Sequence, residues 1–365
     1  MKICFFSVGF AFNRLVRLRY YEKIFPKSVE MFLITTDKYE NTKEQNYQGQ
    51  WKLKRTKVIV MKYHPLKLLF EVRDFCRKNN INIVTNMGHP FGMIPLIFGS
   101  IGARRKKILY FFGDSLETPK IDTFSKIGIR TLSALIPYIP LAHFADKIAF
   151  NAPNSTKKAP LFFMMPKNKF YCLHAPVDVS LFHQSDKLKS RKEMGLNAKD
   201  KIIIYVGRVT RRKAGNLLSG LIKTNPDITF VIIGKWIEEE IPKPKVKNLK
   251  TFNKIPNEEL YKYYSASDLA FACHLQGYPL GITAEEALAC GVPVLHIEKL
   301  TAPDSNSPAI IKIPFNVKEA NKKIRNFFQL SNVNKNKLSK EARSYAEKYC
   351  SDEVWKDKYL DFYLK

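Results

Sequence analysis

Short, nearly continuous apolar runs alternate along this chain with longer stretches of helical periodicity. Seven runs read as a first series of strands: Lys2–Ser7, Glu30–Ile34, Thr56–Val60, Ile83–Thr85, Lys107–Phe112, Lys147–Asn151 and Lys169–Leu173. A second series comprises Lys201–Val206, Ile228–Ile233, Leu249–Phe252, Leu269–Ala272, Val292–His296 and Ile310–Ile313. Runs such as IIIYV and ITFVII carry no polar alternation, which suits strands covered on both faces. Strands separated by helices predict right-handed βαβ units and parallel sheets. Two series predict two Rossmann-like domains. The polar, charged stretch Leu181–Asp200 precedes a fresh strand and is the expected boundary, giving domains of residues 1–185 and 186–344. Lys335–Lys365 reads as helices. Ligands of open α/β sheets bind beyond the carboxyl ends of the strands, so two such domains facing each other would make one cleft.

Composition narrows the class. A chain of 365 residues with 45% hydrophobic and 13% aromatic positions is long enough for two buried cores. Lys and Arg number 61 against 33 Asp and Glu, a formal net charge of +28, so an anionic partner is expected: a phosphorylated substrate, acidic lipid or nucleic acid. Nucleic acid is set aside, because basic residues are spread along the chain and no recognition module is present. The six cysteines (Cys4, Cys76, Cys172, Cys273, Cys290 and Cys350) have no framework spacing, which fits free thiols in a reducing compartment. The start, MKICFFSVGF, reads as a buried strand rather than a secretory signal. No run of 18 apolar residues escapes a charge or a breaker, so a cytoplasmic protein without a spanning helix is expected.

Two segments carry chemistry. In KIIIYVGRVTRRKAG a buried strand ends at Val206, Gly207 allows a sharp turn, and Arg208 and Lys213 follow at the strand exit. Arg supplies a planar fork and Lys a point charge, a pair suited to a diphosphate, although a solvated basic loop has the same spacing. In GYPLGITAEEALACGVPVL, Gly281 opens a helix whose first turn holds Ile282, Thr283 and Ala284. Free N–H groups and the helix dipole favour phosphate there. Glu286, one turn in, is placed to accept the hydroxyls of a ribose, while Glu285 points elsewhere; both also make ordinary first-turn helix acids.

At these residues the chain resembles the family 4 (group 1) retaining glycosyltransferases, which have the two-domain GT-B fold. GRVTRRKAG resembles that family's G-R-L-x-x-x-K-G segment, and GITAEEALACGVPV its G-L-x-x-x-E-A-x-A-x-G-x-P-V segment. FNKIPNEELYKYYSASDLAF and FYCLHAPVDVSLF resemble two further elements, so the likeness runs in order over about Phe170–Val294. It implies a C-terminal domain that binds a nucleotide-diphosphate sugar, a UDP- or GDP-sugar, as substrate. Gly207, Arg208 and Lys213 would hold the diphosphate, Gly281, Ile282 and Thr283 the phosphate, Glu286 the ribose, and Lys254 and Ile255 the base. It implies retention, with the leaving phosphate assisting the acceptor hydroxyl, and neither cofactor nor metal. The N-terminal domain would bind a lipid-linked or glycan acceptor, and the last helix, about 345–365, would pack back on it.

Two positions depart from the family. Its paired acids have E-x7-E spacing; counting back from Glu286 gives Tyr278, and aligning on Gly277 gives Gln276, so neither register has a carboxylate. Phe112 stands where the family often has a His, leaving His89 and Asp114 as candidates for the acceptor side. Ile121–Phe144 is the most apolar stretch, preceded by Arg104, Arg105, Lys106 and Lys107. It reads either as core or as a segment lying on an anionic membrane, a peripheral site on the inner face. Arg14, Leu15, Arg17, Arg19, Tyr20 and Tyr21 form a second basic-aromatic cluster.

Overall fold

The computed structural model describes residues 1–8, 12–37, 53–87, 92–111, 138–151, 153–252, 255–273, 280–297 and 306–365. These divide into two compact units, Met1–Ala175 with Trp355–Lys365, and Pro176–Val354. Each is built on one parallel sheet.

The first sheet contains β1 (Lys2–Ser7), β2 (Glu30–Thr36), β3 (Thr56–Met61), β4 (Ile83–Asn86), β5 (Lys106–Phe111), β6 (Lys147–Phe150) and β7 (Phe170–Cys172). Their order is β3-β2-β1-β4-β5-β6-β7. Alternate residues of β1 explain why both faces are covered. Cys4 and Phe6 enter one core with Phe32 and Ile34 of β2 and Leu68, Val72 and Cys76 of α2 (Pro65–Lys78). Ile3 and Phe5 enter the other, beneath Tyr21 of α1 (Phe12–Ile24).

That second core is closed by the end of the chain. Tyr359, Phe362 and Tyr363 of the final helix are fully buried against Phe5 and Tyr21. The Tyr21 and Tyr363 hydroxyls are 3.1 Å apart, and the Tyr359 hydroxyl donates to the His174 carbonyl at 2.9 Å. The expected basic-aromatic cluster on α1 is therefore divided. Tyr21 is a core residue, and Tyr20 stands edge-on to Tyr359 at 5.3 Å.

The second sheet contains β8 (Lys201–Val206), β9 (Ile228–Ile233), β10 (Leu249–Phe252), β11 (Leu269–Phe271), β12 (Val294–Ile297) and β13 (Ile310–Ile313), ordered β10-β9-β8-β11-β12-β13. This is the doubly wound order of a Rossmann-type sheet, with its switch point between β8 and β11. Ile202 and Ile204 pack on one face and Ile203 and Tyr205 on the other, so β8 is buried on both sides. Val177 pairs with Ser351, and Phe182 packs in the core of the second unit with Ile202 and Ile204.

Every predicted strand is present, with ends that move by one or two residues where they differ. The C-terminal helices run Asn332–Tyr345 and Asp352–Leu364, joined by a π-turn at Ala346–Cys350. Among the described residues no helix is long and apolar enough to cross a membrane.

Candidate functional site

The exit of β8 lies beside the switch point, where a parallel sheet leaves room for a ligand. Gly207 has φ +133 and donates its N–H to the Ile233 carbonyl at 2.8 Å. Gly234, at the exit of β9, has φ +127, and a Cβ there would collide with the Gly207 carbonyl oxygen. Two glycines at positive φ thus let two strand exits lie in contact. The Tyr205 hydroxyl donates to the Arg208 carbonyl at 2.6 Å and fixes the turn from below. The Arg208 side chain is exposed.

Lys213 returns to the same point. It closes a short 3-10 turn, Arg211–Lys213, followed by Ala214 in the left-handed region at φ 52. A Cβ at Gly207 would lie 2.9 Å from Lys213 Nζ, so the ammonium rests directly over the glycine. Its pKa is lowered, by burial first and then by repulsion from Arg208 and Arg212. Among the described residues no carboxylate pairs with Lys213. A half-buried cation beside another cation, with no carboxylate partner among the described residues, has the electrostatic character that suits an anion.

The second part is the helix Ile282–Ala289. Gly281 caps it with φ 80 and ψ 148, and its carbonyl accepts from the Ala284 and Glu285 N–H groups at 3.0 and 3.2 Å. The first N–H groups of a helix, here those of Ile282 and Thr283, have no acceptor within it. Ile282 is exposed and Thr283 half-buried, so this end of the helix is open.

Its two acids face inward. Glu285 is 2% and Glu286 5% exposed, so neither is a solvated first-turn acid. The Glu286 carboxylate accepts from the Tyr264 hydroxyl at 2.9 Å. Burial, with repulsion from Glu285, pushes the Glu286 pKa up to about 8 against the opposing Tyr264 hydrogen bond. In this arrangement Glu286 holds a proton at neutral pH and is engaged by the core.

The structure therefore gathers Gly207, Arg208 and Lys213 at one strand exit and sets Gly281, Ile282 and Thr283 at an open helix end. Ile255 is half-buried against the core of the second unit. Lys254, Gln276, Tyr278, His89 and Asp114 lie outside the described residues. Sequence reasoning passed over Tyr205, Gly234 and Tyr264. One signal was available for Gly234: ITFVIIG ends on glycine just as KIIIYVG does.

Residues 186–349 match the family model described as glycosyl transferases group 1. The likeness to group 1 glycosyl transferases therefore lies within the second unit. A D-inositol 3-phosphate glycosyltransferase of Mycobacteroides abscessus is 26% identical over 164 residues, covering 41% of this chain and 36% of that relative. The matched part thus spans about a third of the relative's length. The whole chain also superposes on solved structures. Sucrose-phosphate synthase from Thermosynechococcus elongatus aligns with TM-score 0.76 at 16% identity, over 99% of this chain and 98% of that one. Anabaena HepE in complex with UDP-glucose aligns with TM-score 0.75 at 16% identity, with the same coverage. The fold is GT-B: two Rossmann-like parallel-sheet domains, one of which carries the group 1 segment.

Proposed function

We propose that the protein is a glycosyltransferase that takes a sugar from a nucleotide-diphosphate donor, a UDP- or GDP-sugar. The observation that carries this reading is Lys213, whose half-buried ammonium sits over Gly207 beside Arg208 with no carboxylate partner among the described residues. A diphosphate would supply the missing charge. One further negative charge develops on the β-phosphate as the sugar's anomeric C–O bond breaks, and the two cations would stabilise it. The N–H groups of Ile282 and Thr283 would take a phosphate oxygen, and the loop at Lys254 and Ile255 the base.

The finer mechanism in this reading is retention without a metal. The acceptor hydroxyl attacks on the face from which the diphosphate leaves, a new C–O bond forms there, and the hydroxyl proton passes to the departing phosphate. His89 and Asp114 would serve the acceptor side. The acceptor is a lipid-linked or cell-surface glycan precursor. A phosphorylated small molecule belongs to the same anionic class, as the name of the mycobacterial relative indicates. An anionic membrane face would present a lipid-linked acceptor.

Arg208→Ala and Lys213→Ala should each lower turnover by roughly 10²- to 10³-fold with little change in melting temperature. Wild-type turnover in both variants would sink the reading. One sequence feature favours a second reading: neither Gln276 nor Tyr278 supplies the carboxylate of the family's first acid. In that reading the protein binds nucleotide-sugar without transfer and acts as a regulatory or assembly partner. Calorimetric binding with no turnover across a donor panel would select it.

A further inference from the structure

Helices α2 and α3 (Met93–Gly99) of the first unit lie side by side and share an apolar face that stays open to solvent. Leu66 and Phe70, one turn apart on α2, are 69% and 54% exposed. Ile94 on α3 is 44% exposed, and Ile101, in the turn that follows, 55%. Phe98 joins the two rows: its ring meets Phe70 edge-on at 5.3 Å. Residues four apart on a helix share a face, so Ile94 and Phe98 form one row beside Leu66 and Phe70, and exposed Ile101 follows in the turn after it.

Cations continue the same stripe. Arg73 follows Phe70 by three positions and places its guanidinium 5.8 Å from the Phe98 ring centre. Arg77 is exposed one turn further on, next to Gly102. Arg104, also exposed, follows Ile101. Arg105 does not contribute, because it is buried and donates to the Gly99 and Cys76 carbonyls, both at 3.1 Å.

We propose that this face docks on an anionic lipid surface, with Leu66, Phe70, Ile94 and Ile101 entering the head-group boundary and Arg73, Arg77 and Arg104 meeting lipid phosphates. An apolar strip flanked by arginines on two adjacent helices has the composition of an interfacial element. A second copy of the chain is the poorer occupant. A two-fold contact would set this arginine stripe against itself in a chain of net charge +28. The proposal rests on the membrane-presented acceptor named above and gives that membrane a specific contact.

Co-sedimentation with vesicles of phosphatidylcholine alone, and with phosphatidylglycerol added, tests it. Wild type should pellet with the anionic vesicles only. The exposed substitutions Leu66→Ser with Phe70→Ser, and separately Arg77→Gln, should weaken that binding at least about tenfold while melting temperature holds. Wild type that stays in the supernatant, or variants that pellet like wild type, would overturn the proposal. So would a dimer in gel filtration that the Leu66→Ser/Phe70→Ser variant abolishes. Donor binding by calorimetry, run on the same preparations, separates the two readings. Vesicle binding without donor binding keeps this surface and removes the proposed function, and the reverse result removes only the surface.

Discussion

Gly207 and Lys213 depend on each other. The glycine's φ of +133 leaves open the space that the ammonium occupies. Gly207→Ala should cost about 1–3 kcal/mol from backbone strain, and it should also displace Lys213, so donor affinity falls together with stability. Denaturant unfolding paired with nucleotide titration checks both parts. Glu286 predicts a pH effect of definite sign. Its pKa is about 8 in the fold against 4.5 ordinarily, so between those values the folded chain binds a proton that the unfolded chain does not. Stability must then fall as pH rises through that window and level off above it. Glu286→Gln keeps the size of the side chain and has no proton to lose. Urea unfolding at about pH 5 and about pH 8 should show the variant gaining on wild type at the higher pH. Equal pH slopes in the two proteins would place the Glu286 carboxylate in water instead.

Elements were more legible than side-chain roles. The strands could be read because a strand buried on both faces must be apolar at every position, as in Ile202–Tyr205, and such a run has few alternatives. The placement of Arg208 and Lys213 at one strand exit could be read because a glycine there fixes where the following residues emerge. The inward turn of Glu285 and Glu286 could not be read. Helical spacing says that neighbours point apart, but the helix Ile282–Ala289 is packed on nearly every side and buries both directions. The final helix shows the same limit. Its aromatic residues announced a core, while which core they join is a matter of tertiary contact. Deleting residues 355–365 uncovers Phe5 and Tyr21 and removes three buried rings, each worth about 3–5 kcal/mol. Together they exceed the stability of many domains. Calorimetry of the truncated protein should lose the first unit's transition and keep the second's.

At the scale of the molecule, two sheets with the same winding carry different duties. The second carries Arg208 and Lys213 at one strand exit and matches the group 1 family over residues 186–349. The first carries the exposed apolar and arginine stripe of α2 and α3. The net charge of +28 suits both, since each would meet phosphate: one on a nucleotide, the other at a lipid surface. The most direct test is the release of nucleoside diphosphate from a panel of UDP- and GDP-sugars, measured for wild type, Arg208→Ala and Lys213→Ala with acceptor lipid extract present. The account predicts turnover of at least one donor by wild type and loss of roughly 10²-fold or more in each variant. Turnover that survives both substitutions would contradict it.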